Sequence, residues 1–496
     1  MIDVLVIGGG VAGLVAAREC AQVGLKVTII EATDAVGGPV AGHVLDGLTL
    51  DSGAESFAVR GGTVAAFIED LGLTDRVVAP NAAGAWLHLP SLHSPTDTSV
   101  SVPLPKAGVL GIPGSPLADD VRRVIGWRGA LRAYLDRLMP VLTIGREHSL
   151  GDLVKKRMGQ MVLDRLVEPV ASGVYTTSAV DLEIDVVAPG LNRALTTAGS
   201  LSGAVSALRS GAPAGSNVGG LIGGMAGLPA AIVATLEHQG AVILTQTTAQ
   251  GLARSGTDDA PHWDVAIARK AEDDSEEPEK AILMARYVIV ATQGAQALRL
   301  VNPLSERFDA LAELEWPAPT AVTLATLVLD TAVLDGQPRG TGVLVSVDAP
   351  DVTAKALTHV TAKWAWVKHA AGAGRHVVRL SYGRAGLPNP TDDLSDDQLQ
   401  ALALKDAATL LGVSLPTSCV RAFARTEWRD ALSPATLGAP ERAQQVREAV
   451  ATTDGLEITG AWLAGTGLAS VIPHAAAAGD RIRHAALGLT ITRPDD

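Results

Sequence analysis

Cysteine and aromatic residues are scarce in this chain, and basic charge is in deficit. Its 496 residues include two cysteines, Cys20 and Cys419, which are too far apart to indicate a disulfide framework or a cysteine metal cluster and are compatible with a reducing cytoplasm. With 40 Lys and Arg against 53 Asp and Glu, the formal charge of −13 argues against a general nucleic-acid-binding or anionic-membrane surface. Aromatic residues make up 3%, so smaller apolar residues must form most of the core.

Long uninterrupted apolar runs are also lacking, because glycine and proline break each candidate. The sequence therefore predicts no transmembrane segment, and the apolar residues at its start are predicted to form a strand rather than a cleavable leader. The histidines show no paired metal-binding spacing, so we expect no metal. What is present is the composition of a large globular protein, with 47% hydrophobic and 19% charged residues, and the length predicts two or three domains.

The N-terminal segment has the pattern of a β–α–β unit that binds a dinucleotide. Residues 4–7 form an apolar run of strand length, and Gly8, Gly10 and Gly13 follow with the spacing G-x-G-x-x-G. Such glycines allow a tight turn, close approach of a pyrophosphate and close packing of helix on strand. The helix N-terminus favours an anion, and Glu31, at the end of the second strand, is predicted to accept hydrogen bonds from ribose hydroxyls. A glycine-rich turn without a ligand is the simpler alternative.

Periodicity along the rest of the chain predicts two returns to this nucleotide-binding unit. The predicted segments are a strand followed by a Gly/Ala/Glu/Ser turn within 43–57, an amphipathic helix at 64–75, short strands at 86–118, helices at 117–207, a glycine turn with a helix and a strand at 219–244, a solvated hairpin tip at 271–280, a buried strand at 286–292, strands and turns at 318–384, a helix at 398–411, and a strand, glycine turn and long helix at 456–488. The predicted fold class is therefore α/β, with insertions between the nucleotide-binding segments.

The glycine-rich turn near the C-terminal end of the chain predicts a second helix N-terminus at a ligand. Gly465 and Gly467 precede a helix that is expected to begin near Leu468. In flavoproteins such a helix end can face the pyrimidine edge of the flavin and stabilise negative charge on reduction. An ordinary turn between strand and helix is the alternative if the segment is taken alone.

Taken together, these segments resemble the flavin amine oxidase and protoporphyrinogen oxidase superfamily. The FAD-binding resemblance lies in residues 1–31, 37–38, 51–57, 223–225, 288–292 and 456–472. Residues 149–159 and 165–175 resemble the helical signature of protoporphyrinogen and coproporphyrinogen oxidases. Residues 104–105, 111–113, 361–364, 379 and 383–384 resemble the bacterial coproporphyrinogen-type members, so the resemblance covers nearly the whole chain.

The resemblance implies a Rossmann-like FAD-binding domain assembled from three segments, with a substrate domain of mixed sheet and a helical insertion. The implied boundaries are 1–85, 216–304 and 451–496 for the FAD-binding domain, 86–116 and 305–450 for the substrate domain, and 117–215 for a helical domain of the substrate or membrane type. FAD is expected to bind non-covalently, through Gly8, Gly10, Val11, Ala12, Gly13, Glu31, Gly37, Gly38, Ala54, Glu55, Ser56, Thr248, Gly465, Leu468, Ala469 and Val471. Tyr175, Gly173 and Lys363 are implied at the substrate; no catalytic acid or base is identified.

Two positions depart from the family pattern. Family members commonly have Arg or Lys after the glycine pair, whereas here Pro39 brings neither charge nor an N–H, which predicts weaker FAD binding. A Pro-Gln-Tyr pattern with a downstream Gly-His in relatives is replaced at residues 432–439. Lys363 beside Trp364 is predicted to lie on a strand, either at a substrate carboxylate or facing solvent.

The resemblance implies oxidation of a porphyrinogen, by hydride transfer from a bridging carbon to flavin N5, repeated until six electrons have left. The expected reaction is coproporphyrinogen III to coproporphyrin III with molecular oxygen, giving hydrogen peroxide, in the cytoplasm, with peripheral membrane contact left open. Transient contact with the next haem-pathway enzyme is a further expectation. Protoporphyrinogen IX oxidase, another amine or carotenoid-type flavin oxidoreductase, and a non-catalytic tetrapyrrole-binding flavoprotein are the alternatives.

Overall fold

The structure is a computed structural model that describes residues 1–59, 61–92, 98–106, 108–140, 147–209, 218–257, 260–271, 277–318, 320–429 and 435–489. Its strands are β1 (Ile2–Ile7), β2 (Val27–Ile30), β3 (Gly42–Leu45), β4 (Leu48–Asp51), β5 (Phe57–Ala58), β6 (Val77–Val78), β7 (Ala85–Pro90), β8 (Ser99–Pro103), β9 (Gly108–Val109), β10 (Ile112–Pro113), β11 (Val218–Leu221), β12 (Val242–Leu244), β13 (Thr247–Thr257), β14 (Ala260–Arg269), β15 (Glu279–Val290), β16 (Ala321–Asp330), β17 (Gly342–Val345), β18 (Ala356–His359), β19 (Arg375–Tyr382), β20 (Val420–Arg429) and β21 (Leu456–Ile458). Its α-helices are α1 (Val11–Ala21), α2 (Thr63–Asp70), α3 (Asp119–Tyr134), α4 (Leu150–Met158), α5 (Gln160–Val162), α6 (Glu168–Val170), α7 (Ile184–Val187), α8 (Leu191–Ala198), α9 (Leu201–Arg209), α10 (Gly227–His238), α11 (Gly294–Val301), α12 (Glu306–Ala312), α13 (Val360–Lys363), α14 (Ala365–Ala371), α15 (Asp396–Leu411), α16 (Ala439–Val450), α17 (Ala461–Ala464) and α18 (Leu468–Ala486).

The first sheet has a parallel centre. β12, β2, β1, β15 and β21 lie side by side in that order and run parallel, and β14 and β13 extend the sheet from β15 with antiparallel pairing. Val4 and Val6 of β1 pack with α1, α10 and α18 on one face, whereas Leu5 and Ile7 pack with α11, α12 and α16 on the other. Because helices cover both faces of this strand, residues 4–7 are all buried. Burial on both faces explains why these four residues are all apolar. Three separated stretches of chain thus form one sheet, and the predicted α/β fold class is confirmed, while the domain boundaries stay predictions.

The second sheet is mixed. Its strand order is β20-β16-β19-β18-β17-β7-β8, with β17 and β7 parallel and the other neighbours antiparallel. α15 covers one face of this sheet around a shared apolar core. The helix begins with a capping box, in which the Ser395 hydroxyl accepts the Gln398 N–H and the Gln398 side chain accepts the Ser395 N–H, so that two donors at the helix end are satisfied.

Residues 119–209 supply α3 to α9, which pack around a separate apolar core. At the centre of this layer Arg157 Nε donates to Oδ1 of Asp136 (2.7 Å), with the two side chains 6% and 0% exposed. Both carboxylate oxygens of Asp136 also accept the first two N–H groups of α9, so this residue joins α9 to the other helices. Two π-helical segments, Leu163–Val167 and Ala171–Tyr175, interrupt the α-helical course. Such segments are rare and frequently occur at functional sites.

Two local predictions are wrong. Residues 43–57 form not one strand but the hairpin of β3 and β4, followed by β5. Asp46 and Gly47 make the turn with φ of +48° and +74°, as an Asp-Gly turn of this type requires. The alternation expected at 318–384 is interrupted by α13 and α14, so that Lys363 ends a helical turn rather than lying on a strand. The predicted tip at 271–280 and the altered stretch at 432–439 lie partly outside the described residues. Among the helices of the described ranges, none has the length and apolar character of a membrane span.

Candidate functional site

The turn between β1 and α1 requires glycine at two positions for reasons within the chain. A Cβ on Gly8, whose φ is +108°, would lie 2.8 Å from the Ala291 carbonyl oxygen, and a Cβ on Gly13 would lie 1.9 Å from that of Gly8. Gly10 differs, because its φ of −66° suits any residue and a Cβ there would meet no described atom within 4 Å. The chain itself therefore does not require glycine at position 10. The open space beside it suits a ligand that approaches the backbone closely.

The start of α1 borders this open space. α1 begins at Val11 and has neither an acidic residue in its first turn nor a side-chain cap. The N–H groups of Val11, Ala12 and Gly13 have no acceptor within the helix. Together with the positive end of the helix dipole, these donors form a site for an anion such as a pyrophosphate.

Glu31 is fixed at the end of β2 by backbone donors. Its Oε2 accepts the Gly9 N–H (2.8 Å) and its Oε1 accepts the Thr33 N–H (2.8 Å). Since a carboxylate has about four lone-pair directions, some stay available to ribose hydroxyls. The Glu31 carbonyl accepts the Thr247 N–H (2.8 Å). This bond places Thr248, which the family resemblance implies at the adenine, beside the acidic end of β2.

The second glycine pair lies against the first. Gly37 forms a parallel bridge with Gly10, and Gly37 and Gly38 have φ of +112° and +56°. The carbonyl of Pro39 accepts the N–H of Ala54 (2.8 Å). This bond connects the pair to residues 54–56, which the family resemblance implies beside the flavin ring.

The N-terminus of α18 meets the same region. The helix begins at Leu468 after Gly465 and Gly467, both with positive φ, as the sequence predicted. Leu468 and Val471 share a buried core with Val11 and Ala12, and Ala54 and Ala469 pack against that core. Residues predicted at the cofactor thus come from four separate segments and meet in one place. Whether each contacts the cofactor stays a prediction.

A buried ionic cluster lies beside this region, consisting of Glu55, Lys363 and Arg379 and called here the Glu55 cluster. Lys363 Nζ donates to Oε1 of Glu55, and Arg379 Nη2 lies 2.9 Å from Oε2. The Glu55, Lys363 and Arg379 side chains are 10%, 17% and 11% exposed. Arg379 Nη1 also donates to the carbonyls of Asp51 (3.1 Å) and Gly53 (3.0 Å). The predicted flavin-side residue Glu55 and the predicted substrate residue Lys363 therefore meet directly.

The two acidic residues of this region have opposite pKa shifts. Burial alone would raise the pKa of Glu55, but the charges of Lys363 and Arg379 outweigh it and hold the pKa below its usual range. Burial raises the pKa of Asp51 to about 6, against a hydrogen bond from the Met225 N–H. That N–H donates to Oδ1 of Asp51 over 2.7 Å. Glu55 is therefore ionised at neutral pH, whereas Asp51 titrates close to it.

Gly173 and Tyr175 lie in the π-helical segment Ala171–Tyr175. A Cβ on Gly173 would lie 2.7 Å from Cδ2 of Leu344 in β17, so glycine lets this segment pack closely on the second sheet. Burial raises the pKa of the Tyr175 hydroxyl. Within the described residues neither has a hydrogen bond to Lys363. Gly173 therefore packs on the second sheet, whereas Lys363 pairs with Glu55.

Sequence reasoning missed Trp428. The Trp428 Nε1–H donates to the Ser52 carbonyl (2.8 Å), 376 residues away in the chain. A Cβ on Gly53 would come within 3.3 Å of the Trp428 ring. The indole thus supports the backbone that precedes Glu55. No local pattern predicts a pairing over such a distance.

Comparison with known proteins agrees with this geometry. The model of the family described as flavin containing amine oxidoreductases matches residues 11–482. The chain is 26% identical over 491 residues to the coproporphyrinogen III oxidase of Bacillus subtilis (strain 168), covering 96% of each chain. It is 28% identical over 474 residues to the coproporphyrinogen III oxidase of Mycobacterium tuberculosis (strain H37Rv), covering 94% of each. A solved structure from Exiguobacterium sp. 255-15, provisionally named a protoporphyrinogen oxidase, has a TM-score of 0.79 at 25% identity and covers 97% of this chain and 98% of its own.

The fold and the arrangement of glycine turns and helix ends are those of a flavin-dependent oxidoreductase. The chain belongs to the family of flavin containing amine oxidoreductases. The resemblance stated from the sequence is thereby confirmed, and the protein is an enzyme with a flavin cofactor.

Proposed function

We propose that this protein is an FAD-dependent oxidase that converts coproporphyrinogen III to coproporphyrin III in haem biosynthesis. The Bacillus and Mycobacterium relatives bear the name of this activity and match nearly the whole chain. The observation that carries the cofactor assignment is the open space beside Gly10 at the start of α1. The packing of the chain does not require glycine at this position, whereas a closely bound ligand does. FAD is held there without a covalent bond.

The proposed reaction balances with oxygen as the acceptor. Six electrons and six hydrogen atoms leave the porphyrinogen, and three molecules of oxygen take them up to give three of hydrogen peroxide. A bound flavin supplies the two-electron redox chemistry. The protein contributes orientation of a large disc-shaped substrate and exclusion of competing reactions, so no strong acid or base is needed.

The chain's own residues divide this work. Gly8, Gly10 and Gly13 admit the pyrophosphate to the N-terminus of α1, and Glu31 holds the adenosine ribose. The N-terminus of α18 at Leu468 provides a positive helix end for the flavin pyrimidine edge.

The Glu55 cluster combines two cations with one anion and therefore has a net positive charge of one. Beside the flavin ring this charge favours the reduced, more negative state of the cofactor. Lys363, Gly173 and Tyr175 line the substrate space in this proposal. The Glu55–Lys363 ion pair also fixes the position of the substrate residue Lys363 relative to the cofactor residue Glu55.

Protoporphyrinogen IX oxidation is the second candidate, favoured by the name of the Exiguobacterium structure. An amine or carotenoid substrate would leave the family-like residues 149–175 without a purpose. The two porphyrinogens differ in their carboxylates, since coproporphyrinogen has four propionates and protoporphyrinogen two. A site with additional cationic partners therefore favours the former.

We also propose a cytoplasmic location, with both described cysteines free and buried. Peripheral contact with a membrane or with the next haem-pathway enzyme is proposed at the outer side of α3 and the turn after it. There Trp127, Leu131 and Leu138 are 61%, 54% and 74% exposed. Sedimentation with anionic vesicles, compared between the wild type and Leu138→Ser, tests the membrane contact.

The decisive experiment is a side-by-side assay of both porphyrinogens with purified, flavin-loaded protein, with oxygen uptake and peroxide recorded. We expect a yellow protein, a higher kcat/KM for coproporphyrinogen III, and three peroxides formed per porphyrin. A higher kcat/KM for protoporphyrinogen IX would transfer the assignment to the second candidate. A flavin-loaded protein that oxidises neither would overturn the proposed function.

A further inference from the structure

Lys355 is the most buried lysine or arginine in the described part of the chain, at 2% exposure. The buried arginines are well compensated: Arg18 and Arg157 form ion pairs with aspartates, and Arg165 donates to two carbonyls. Among the described residues Lys355 Nζ has one partner, the Thr176 hydroxyl (2.7 Å). An ammonium group has three donors and is expensive to bury without an acceptor of negative charge. The buried ammonium of Lys355 therefore does not contribute favourably to the folding free energy of the protein alone.

Thr176 itself has a strained backbone. Its φ is +65°, a left-handed conformation that is unfavourable for a β-branched residue. It directly follows the π-helical segment Ala171–Tyr175, and its carbonyl accepts the Ala385 N–H (2.7 Å). Strain of this kind persists where the surrounding structure enforces it, often at binding sites. Lys355 and Ala385 thus hold the end of the segment that contains the predicted substrate residues.

A second cation lies close by. Arg384 is half-buried, and Nη2 donates to the Val345 carbonyl (3.2 Å). Its Nε has no partner among the described residues, and no described carboxylate lies within ion-pair distance of it. Burial and, to a smaller extent, the nearby charge of Arg384 together lower the pKa of Lys355 to about 7. The two cations are therefore near enough to repel each other.

Two buried hydroxyls complete the polar surroundings. Ser172 and Thr177 are 3% and 4% exposed, and within the described residues their hydroxyls lack a hydrogen-bond partner. Both belong to the chain around Thr176. Burial lowers the pKa of Arg384, although the more distant charges of Glu168 and Asp348 oppose this shift. Oε2 of Glu168 already accepts the Ala179 N–H (2.9 Å). The hydroxyls of Ser172 and Thr177 are therefore available as hydrogen-bond donors to an anion.

We propose that Lys355 and Arg384, with the hydroxyls of Ser172 and Thr177, form a carboxylate-binding site that receives a propionate of the tetrapyrrole. This inference rests on the proposed function. Arg384 forms the outer part of the site, because it is only half-buried, and Lys355 forms the inner part. Lys355 reaches this site through Thr176, which directly follows Tyr175, and the site does not use the Glu55 cluster, where the ammonium of Lys363 is already paired.

The test measures binding of coproporphyrin III, the tetracarboxylate product, to flavin-loaded protein by porphyrin fluorescence. Lys355→Met should weaken this binding by roughly tenfold to a hundredfold, the range for a hydrogen bond to a charged group. Binding of coproporphyrin III tetramethyl ester, which has no carboxylates, should be equal in both proteins. Lys368→Met is the matched control, because Lys368 lies exposed on α14. Its coproporphyrin affinity should equal that of the wild type.

The outcomes separate this site from the proposed function. A Lys355→Met protein that is fully flavin-loaded and binds coproporphyrin III with wild-type affinity would overturn the site and leave the function standing. A wild type that binds neither porphyrin, with or without carboxylates, would overturn the function. If Lys355→Met does not fold, Arg384→Met at the half-buried position carries the same test, with the same loss expected for the acid and none for the ester.

Discussion

Replacing Lys363 with methionine tests the most unexpected contact of the site. The substitution keeps an unbranched side chain and removes the ammonium that pairs with Glu55. Arg379 stays 2.9 Å from the other oxygen of Glu55, so the carboxylate loses one of two charged partners. The expected loss of folding free energy is about 1.5–3 kcal/mol, the value of one hydrogen bond to a charged group. It is smaller than the roughly 3–5 kcal/mol expected when a buried charge is left alone.

A double-mutant cycle isolates this contact. Lys363→Met, Glu55→Gln and the double variant are compared by urea denaturation of the flavin-loaded protein, followed by flavin fluorescence. We expect a coupling of about 0.5–3 kcal/mol between the two positions. Lys368→Met, which removes an exposed charge from α14, should leave the midpoint unchanged. A coupling near zero would refute the buried pair. A raised KM for coproporphyrinogen with unchanged stability would instead place the ammonium on the substrate.

Four further substitutions test the cofactor site and its electrostatics. Gly10→Val should fold, because a Cβ there meets no described atom within 4 Å, but it should lose the yellow flavin. Full flavin occupancy in this variant would contradict a pyrophosphate site at Gly10. Glu31→Ala should weaken FAD binding by about 1.5–3 kcal/mol, and an unchanged Kd would remove its ribose role. Pro39→Arg keeps the carbonyl that binds the Ala54 N–H and should slow FAD loss on dilution. Equal rates of FAD loss from the variant and the wild type would show that a basic residue at position 39 does not affect FAD binding. Because burial raises the pKa of Asp51 to about 6, the folded state holds its proton more tightly and loses stability as pH rises from about 4 to 6. Asp51→Asn should abolish a loss on the order of 2 kcal/mol there, and identical pH profiles would contradict this.

The parts of the site that the sequence predicted are those with local patterns. Gly8, Gly10 and Gly13 follow an apolar strand at a fixed spacing, and the start of α18 follows two glycines, so each could be recognised within a few residues. The hairpin at 43–57 was missed although its Asp46-Gly47 pair is a strong turn signal. The apolar alternation continues through the turn and obscured it.

The parts that could not be predicted depend on contacts between distant residues. Lys363 and Glu55 are 308 residues apart in the chain, and Lys355 and Thr176 are 179 apart. No sequence pattern around Lys363 or Lys355 distinguishes these buried lysines from exposed ones. Single-sequence patterns describe which face of an element is apolar, but they do not describe which buried polar groups meet across layers.

The parallel sheet that joins three stretches of chain also constrains how the protein is synthesised. β1 pairs with β15, β15 pairs with β21, and α1 packs on α18, where Cys20 Sγ donates to the Gly479 carbonyl across 459 residues. Contacts of such high sequence separation close slowly, and the partners of α1 leave the ribosome long after it does. In the proposed site, the glycine turn that is made first is therefore complete only when nearly all of the chain has emerged. Until then the apolar face of α1 lacks the helix that covers it.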